Sequence, residues 1–176
     1  MSRARTDPIS DRRLKMSSLE IMLRVNGTSR TVVVEPRTTL ADALRDRLGL
    51  HGTHLGCEHG VCGSCTVLMD GAPVRSCLLF AVQCRDSEVT TIEGLADGDS
   101  LHPLQRAFVE NFGLQCGFCT PGFIMLAAGA LSLEDNMSDE QLVEMLSSNL
   151  CRCTGYANIV AAVKQAATEL RSRGEP

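Results

Sequence analysis

The chain has 176 residues, of which 44% are hydrophobic and 3% aromatic, and its formal net charge is -4. This size and composition allow one domain or two small ones with buried cores. The acidic balance and the lack of Trp argue against a nucleic-acid partner, which basic charge and stacking aromatics would favour. No apolar run approaches the roughly 18 residues of a membrane span.

The N-terminal segment, residues 1–18, is charged and has no hydrophobic period, which predicts a flexible arm. No apolar stretch typical of a secretory leader follows its arginines. We therefore expect a cytoplasmic location.

Residues 19–94 carry the patterns of a small mixed sheet with one helix across it. Asn26-Gly27 favours a tight hairpin between two strands. Thr39 can cap a helix over residues 40–48, and Gly49 stands where such a helix ends. The strands are expected at residues 19–25, 31–34, 66–69, 73–76 and 88–92.

Beyond a predicted linker at residues 95–100, the strand patterns stop and apolar residues recur at helical spacing over residues 101–176. Ser138 and Gln141 stand in capping-box register. Four short helices of this kind pack as a bundle. The predicted fold class is α+β, and the helices are expected at residues 101–112, 121–131, 139–148 and 157–173.

Nine cysteines indicate metal or redox chemistry, and the first group has a specific spacing. Cys57, Cys62 and Cys65 form C-x4-C-x2-C, the spacing of plant-type 2Fe-2S ferredoxins. Glycines in this loop let backbone amides approach a cluster. A strand pair then returns the chain to the loop at Cys77, which we predict as the fourth ligand in preference to Cys84.

Other metal sites fit the first group less well. Cys57 and His59 resemble one half of a Rieske centre, but the sequence lacks the second Cys and His pair that such a centre needs. A structural zinc site usually has two short paired knuckles, which the four-residue gap does not match.

The second group has two cysteine pairs separated by 31 residues. Cys116 and Cys119 form C-x2-C, and Cys151 and Cys153 form C-x-C. Each pair precedes a predicted helix, whose N-terminus favours an anion such as a four-thiolate 2Fe-2S cluster. A dithiol enzyme built on the first pair would leave the second without a role. The ligand type alone does not distinguish a 2Fe-2S cluster from a zinc ion held by four cysteines.

Three motifs together resemble the small iron–sulfur subunit of the molybdenum hydroxylases, the xanthine dehydrogenase and aldehyde oxidase family. They are GCEHGVCGSC at residues 56–65, QCGFCTPG at 115–122 and CRCTGY at 151–156. The resemblance spans residues 19–170. It implies an N-terminal β-grasp ferredoxin-like domain over residues 19–94 and an all-α four-helix 2Fe-2S-binding domain over residues 101–176.

The resemblance also implies a function. Such a subunit relays electrons one at a time from a molybdopterin centre on a large subunit, through two 2Fe-2S clusters, to FAD on a medium subunit. The pterin is expected in a dinucleotide form and the assembly as a heterotrimer that dimerises. No catalytic residue is expected in this chain. A freestanding double-cluster ferredoxin or redox sensor is the alternative.

The same family pattern assigns positions to the two clusters. The cluster of the second group is expected nearer molybdenum, and that of the first group nearer the flavin. Gln115 and Cys153 match positions that touch the pterin. The implied metal ligands are Cys57, Cys62, Cys65, Cys77, Cys116, Cys119, Cys151 and Cys153.

Overall fold

The computed structural model describes residues 18–134 and 136–174, so nearly all of the predicted N-terminal arm lies outside the described residues. The described strands are β1 (Leu19–Val25), β2 (Thr28–Val34), β3 (Thr66–Met69), β4 (Ala72–Arg75) and β5 (Glu88–Thr90). The helices are α1, with an α-helical start (Leu40–Asp42) and a π-helical continuation (Ala43–Arg47), then α2 (Pro103–Glu110), α3 (Thr120–Leu133), α4 (Asp139–Ser147) and α5 (Ala157–Arg173).

The first hairpin follows from alternating hydrophobicity. In β1 the side chains of Ile21, Leu23 and Val25 are buried, and those between them are exposed. Asn26 and Gly27 have φ values of 52° and 72°, which a type I′ turn requires at both central positions. The predicted hairpin is confirmed.

The strand β5 joins two hairpins into one mixed sheet. It pairs parallel with β1 and antiparallel with β3, which gives the order β2-β1-β5-β3-β4. Leu40 and Leu44 of α1 are buried in the core of this sheet. The side chain of Thr39 caps α1 by accepting a hydrogen bond from the Asp42 N–H at 3.1 Å. This is the β-grasp arrangement that the family resemblance implied.

Local turns shift some predicted boundaries. The strand β4 ends at Arg75 because the chain tightens into a 3₁₀ turn at Ser76–Leu78. The strand β5 ends at Thr90, ahead of a 3₁₀ turn at Ile92–Gly94. The predicted helix over residues 40–48 is present, but its second half is π-helical. Apolar spacing over two turns does not distinguish the two hydrogen-bond patterns.

The helices α2 to α5 surround a second core, which confirms the predicted four-helix half. Phe108, Phe123 and Ile159 from three of these helices are buried in it. The capping box of α4 is formed, since the side chain of Ser138 accepts from the Gln141 N–H while the Gln141 side chain accepts from the Ser138 N–H. None of the helices in the described part of the chain is long and apolar enough to cross a membrane.

The helix α3 also packs against β3 and β4, so it contacts both halves of the chain. Two of its residues lack side chains where the contact is tightest: Gly122 faces Ser64, and Gly129 faces Pro73. Residues 95–102, which include the predicted linker, belong to no helix and to no strand of the sheet. The division into separate domains stays a prediction.

Candidate functional site

The first cysteine group lies on one end of the sheet. Cys65 directly precedes β3, and Cys77 lies in the 3₁₀ turn that follows β4. Antiparallel pairing of β3 with β4 places the two cysteines side by side. Ser76 fixes this end of the hairpin, because its N–H and its hydroxyl both donate to the Cys65 carbonyl, at 3.3 and 2.6 Å.

The thiols of this group meet in two pairs. Cys57 contacts Cys62, and Cys65 contacts Cys77. The Cys62 N–H donates to Cys57 Sγ at 3.3 Å and is the largest cause that lowers the pKa of Cys57 to about 6. Burial raises the pKa of Cys77 to about 11. The loop that carries them turns at Gly63, whose φ of 74° favours a residue without a side chain.

The second cysteine group is assembled from two distant segments. Cys119 is the N-cap residue of α3, and Cys151 and Cys153 precede α5 in the same bundle. The Sγ atoms of Cys116 and Cys153 lie 3.5 Å apart, and the thiol of Cys119 contacts that of Cys151. All four sulfurs therefore converge at one end of the bundle.

Each pair in this group has one thiol with a raised pKa and one with a lowered pKa. The Phe118 N–H lowers the pKa of Cys116, and the hydrogen bond to Cys116 raises the pKa of Cys153. Burial raises the pKa of Cys119 to about 12. Burial also opposes ionisation of Cys151, but hydrogen bonds from the N–H and hydroxyl of Thr154 lower its pKa on balance. A hydrogen bond between the two thiols of each pair contributes to both shifts.

The arrangement of the sulfurs fits two irons per group. Two thiolates on one tetrahedral metal with bonds of about 2.3 Å lie roughly 3.8 Å apart, close to the 3.5 Å between Cys116 and Cys153. Within residues 18–134 and 136–174, no three His, Cys, Asp or Glu side chains surround a point suited to a single ion. Paired sulfurs are what a two-iron cluster needs, since each iron takes two of the four cysteines.

The ninth cysteine lies apart from both groups. Cys84 is buried in the sheet core with 1% of its surface exposed, and its thiol donates to the Phe80 carbonyl at 3.5 Å. Cys77, in contrast, forms a separate small cluster with Cys65. The structure thus places Cys77 beside the first loop, as the sequence predicted, and Cys84 away from it.

All four cysteines of the second group and one cysteine of the first, Cys62, line a cavity of about 290 Å³. The Leu150 N–H donates to the Cys62 carbonyl at 2.9 Å, so the residue before Cys151 is hydrogen-bonded to a residue of the first group. The cavity is lined from the first loop by Gly56, Cys62 and Ser64, and from the second group by Cys116, Phe118, Cys119, Leu150, Cys151, Arg152 and Cys153.

Sequence reasoning missed the contacts that hold the two loops together. No motif or spacing singles out His54, but its ring stacks on Phe118 with centroids 5.0 Å apart, and its Nδ1 lies 2.7 Å from the Phe118 carbonyl oxygen. The position of Phe118 between two predicted ligands was the one available signal, and it names no partner.

Comparison with known proteins identifies the chain. A profile described as a 2Fe-2S iron-sulfur cluster binding domain matches residues 23–99, and one described as a 2Fe-2S binding domain matches residues 91–164. Caffeine dehydrogenase subunit gamma of Pseudomonas sp. (strain CBB1) is 54% identical over 152 residues, 85% of this chain and 91% of that one. Nicotine 6-hydroxylase small subunit of Paenarthrobacter nicotinovorans is 52% identical over 155 residues, 88% and 93% of the two chains. The chain belongs to the family of small iron–sulfur subunits of the molybdenum hydroxylases.

A solved structure of this family has the same fold. A chain in the crystal structure of quinoline 2-oxidoreductase from Pseudomonas putida 86 superposes with a TM-score of 0.85 and 48% identity, over 90% of this chain and 99% of that one. The predicted family and α+β fold are confirmed. As an iron–sulfur subunit of the molybdenum hydroxylases, the chain has two 2Fe-2S-binding domains and serves electron transfer in an oxidoreductase.

Proposed function

We propose that the chain conducts electrons one at a time between a molybdopterin centre on a large subunit and FAD on a medium subunit. The observation that carries the proposal is the placement of the second cysteine group beside Cys62 of the first, with the hydrogen bond from the Leu150 N–H to the Cys62 carbonyl joining the two groups. A 2Fe-2S cluster bound at each group supplies a one-electron carrier. The chain itself supplies the ligands, their spacing and their surroundings.

The sulfur contacts support an assignment of the ligands in pairs. In the first group, Cys57 and Cys62 would hold one iron, and Cys65 and Cys77 would hold the other. In the second group the pairs cross between the two segments: Cys116 with Cys153, and Cys119 with Cys151.

Backbone dipoles favour the negative charge of the second group. Cys119 is the N-cap of the 14-residue α3, and Cys153 lies four residues before the 17-residue α5. The N-terminus of a helix carries about half a positive charge, which stabilises a nearby anion. The same charge stabilises an added electron, and so the packing of these helices contributes to the reduction potential.

Exposed apolar side chains around the second group favour burial by a partner. Phe118 and Leu150, which line the cavity, are about half exposed. Apolar side chains grouped in this way mark contact surfaces. We place the large subunit here, where exposed Gln115 and Cys153 can reach its pterin dinucleotide.

The remaining parts of the proposal follow the family pattern. The first group lies nearer the medium subunit and its FAD, and the three subunits form a heterotrimer that dimerises. Nine free cysteines favour the reducing cytoplasm, where thiolate ligands persist. Residues 19–94 and 101–176 act as the two cluster domains.

Electron paramagnetic resonance of the dithionite-reduced protein, with spins counted per chain, tests the proposal. We expect two distinct spin-half signals of about one spin each. In the holoenzyme, both signals should also appear when the hydroxylase substrate is the only reductant. One signal or none from the dithionite-reduced protein would refute the two-cluster relay. Two signals that substrate never reduces would instead favour a freestanding ferredoxin.

A further inference from the structure

The segment that joins the two cysteine groups is residues 149–151, here called the strap. In the strap, the Leu150 N–H donates to the Cys62 carbonyl at 2.9 Å, and the next residue is Cys151. This is a short covalent and hydrogen-bonded route from one proposed ligand to another. The rate of electron transfer along this route depends on how firmly the strap is held against the first loop.

The side-chain hydrogen bond from the strap to the first loop is long. Asn149 is 1% exposed, and its Nδ2 reaches the Gly63 carbonyl at 3.4 Å, near the limit for a hydrogen bond. Its Oδ1 is buried and has no hydrogen-bond partner among the described residues. A further group that binds the strap therefore adds to how firmly it is held.

The hydroxyl of Tyr156 binds both ends of the strap. It accepts a hydrogen bond from the Cys151 N–H at 3.0 Å and donates to the Asn149 carbonyl at 3.4 Å. The Leu150 N–H that meets Cys62 lies between these two contacts. One hydroxyl thus fixes the backbone on either side of the bridging hydrogen bond.

The surrounding structure holds Tyr156 in this position against a backbone preference. Its φ is 69°, a left-handed value that is uncommon for a bulky residue. The Thr154 hydroxyl accepts the Tyr156 N–H at 3.1 Å, and the ring packs edge-on against buried Phe123, with centroids 6.1 Å apart. Strained conformations of this kind persist where neighbouring groups determine them, and they often occur at functional sites.

We propose that Tyr156 is a positioning residue that sets the rate of electron transfer between the two cysteine groups, an inference that rests on the proposed function. The transfer oxidises the donor group by one electron and reduces the acceptor group by one. No bond forms or breaks in it. The hydroxyl acts only by keeping the strap, and hence the Leu150–Cys62 hydrogen bond, in place.

The experiment compares Tyr156→Phe with Thr168→Val in the assembled holoenzyme. The first substitution removes only the hydroxyl that binds the strap. The second removes a hydroxyl of α5 that donates to the Lys164 carbonyl, away from both groups. The measurements are the spin count, the magnetic interaction between the two reduced clusters, and the rate of electron transfer between them after pulsed reduction.

We expect Tyr156→Phe to retain both spins while the intercluster rate falls by about fivefold, because both hydrogen bonds of the hydroxyl are lost and the strap then leaves the Cys62 carbonyl for most of the time. The magnetic interaction should weaken, and Thr168→Val should match the wild type. An unchanged rate and interaction would overturn the inference. Loss of the second cluster would also overturn it, because the hydroxyl would then be needed to form the site. A wild-type holoenzyme without two clusters would refute the proposed function instead.

Hydrogen exchange on the unmodified holoenzyme tests the same inference if Tyr156→Phe does not assemble. The amides of Leu150 and Cys151 should exchange as slowly as those of the buried face of α5, because both are held in hydrogen bonds. Fast exchange at these two amides would mean that the strap is not fixed, and the inference would fail.

Discussion

The two cysteine groups achieve similar ligand sets in different ways. In the first group, three cysteines lie within one loop of nine residues, and a hairpin returns the fourth. In the second group, two segments with 31 residues between them meet because α3 and α5 share a core. Two thiols of the first group are buried, whereas Cys116 and Cys153 of the second are exposed.

The two groups therefore depend on different features of the fold. The first group depends on local loop geometry and on one strand pairing. The second depends on the tertiary packing of the bundle, and its exposed thiols lie where a partner can reach them. Substitutions in each half should therefore affect the two groups unequally.

Removing one ligand should have the largest effect. We expect Cys119→Ala to abolish the signal of the second cluster and Cys65→Ala that of the first, each with a loss of about one spin per chain, because the remaining three thiolates leave one iron incompletely held. Spin counting and iron analysis measure the result.

Cys84→Ala is the matched control, since this buried cysteine lies in the sheet core and contacts neither group. It should keep both signals. If either ligand substitution removed both signals, the two groups would not be independent.

Truncating a side chain in the core of the bundle should make the second group less stable than the first. Phe123→Ala removes a fully buried ring from the bundle and should lower the free energy of unfolding by about 3–5 kcal/mol. In urea, the second cluster should be lost at a lower denaturant concentration than the first. Visible spectra and paramagnetic resonance along the titration measure this order.

Phe112→Ala serves as the control because its ring is 76% exposed, and we expect a change within about 0.5 kcal/mol. Simultaneous loss of both clusters in Phe123→Ala would show that α3 couples the halves into one cooperative unit.

The close approach of the halves at Gly122 gives a smaller expected effect. In Gly122→Ala the new methyl group would lie 2.9 Å from the Ser64 Cα, so α3 must move away from the first loop. We expect destabilisation of about 1–3 kcal/mol and a weaker magnetic interaction between two intact clusters.

Ser132→Ala, on the same helix, should leave that interaction unchanged, since Ser132 donates only within α3 to the Ala128 carbonyl. An unaltered interaction in Gly122→Ala would mean that the loop adapts and the clusters keep their separation.

The smallest effect concerns the ion pair between α2 and α5. The hydrogen bond from Arg106 lowers the pKa of Glu169, so the folded state binds this proton less readily than the unfolded state. The resulting stabilisation is present above the ordinary pKa of Glu and is lost as the pH falls through the lowered value.

Melting temperatures of the wild type and Glu169→Gln, followed by circular dichroism from pH 7 to about pH 3, check this prediction. The advantage of the wild type should shrink as the pH falls. If the difference in melting temperature between the two proteins stays constant with pH, ionisation of Glu169 is not its cause.

Much of this protein was predictable because its sequence signals are local. Asn26-Gly27 specifies a tight turn by its backbone conformation, and Ser138 with Gln141 caps a helix three residues away. The spacing of Cys57, Cys62 and Cys65 places three ligands on one loop. Such signals act over a few residues, so the strands, helices and first ligand loop follow from the sequence itself.

Contacts between distant segments were decided only by the tertiary structure. The pairing of Cys116 with Cys153, the stacking of His54 on Phe118 and the hydrogen bond from Leu150 to Cys62 each join residues whose proximity depends on packing. The motif CRCTGY names Tyr156, but not its hydrogen-bond partners or its left-handed backbone. Local spacing determines which side chains can serve as ligands, whereas burial of the two cores determines where they meet, because only packing fixes the relative position of separate elements.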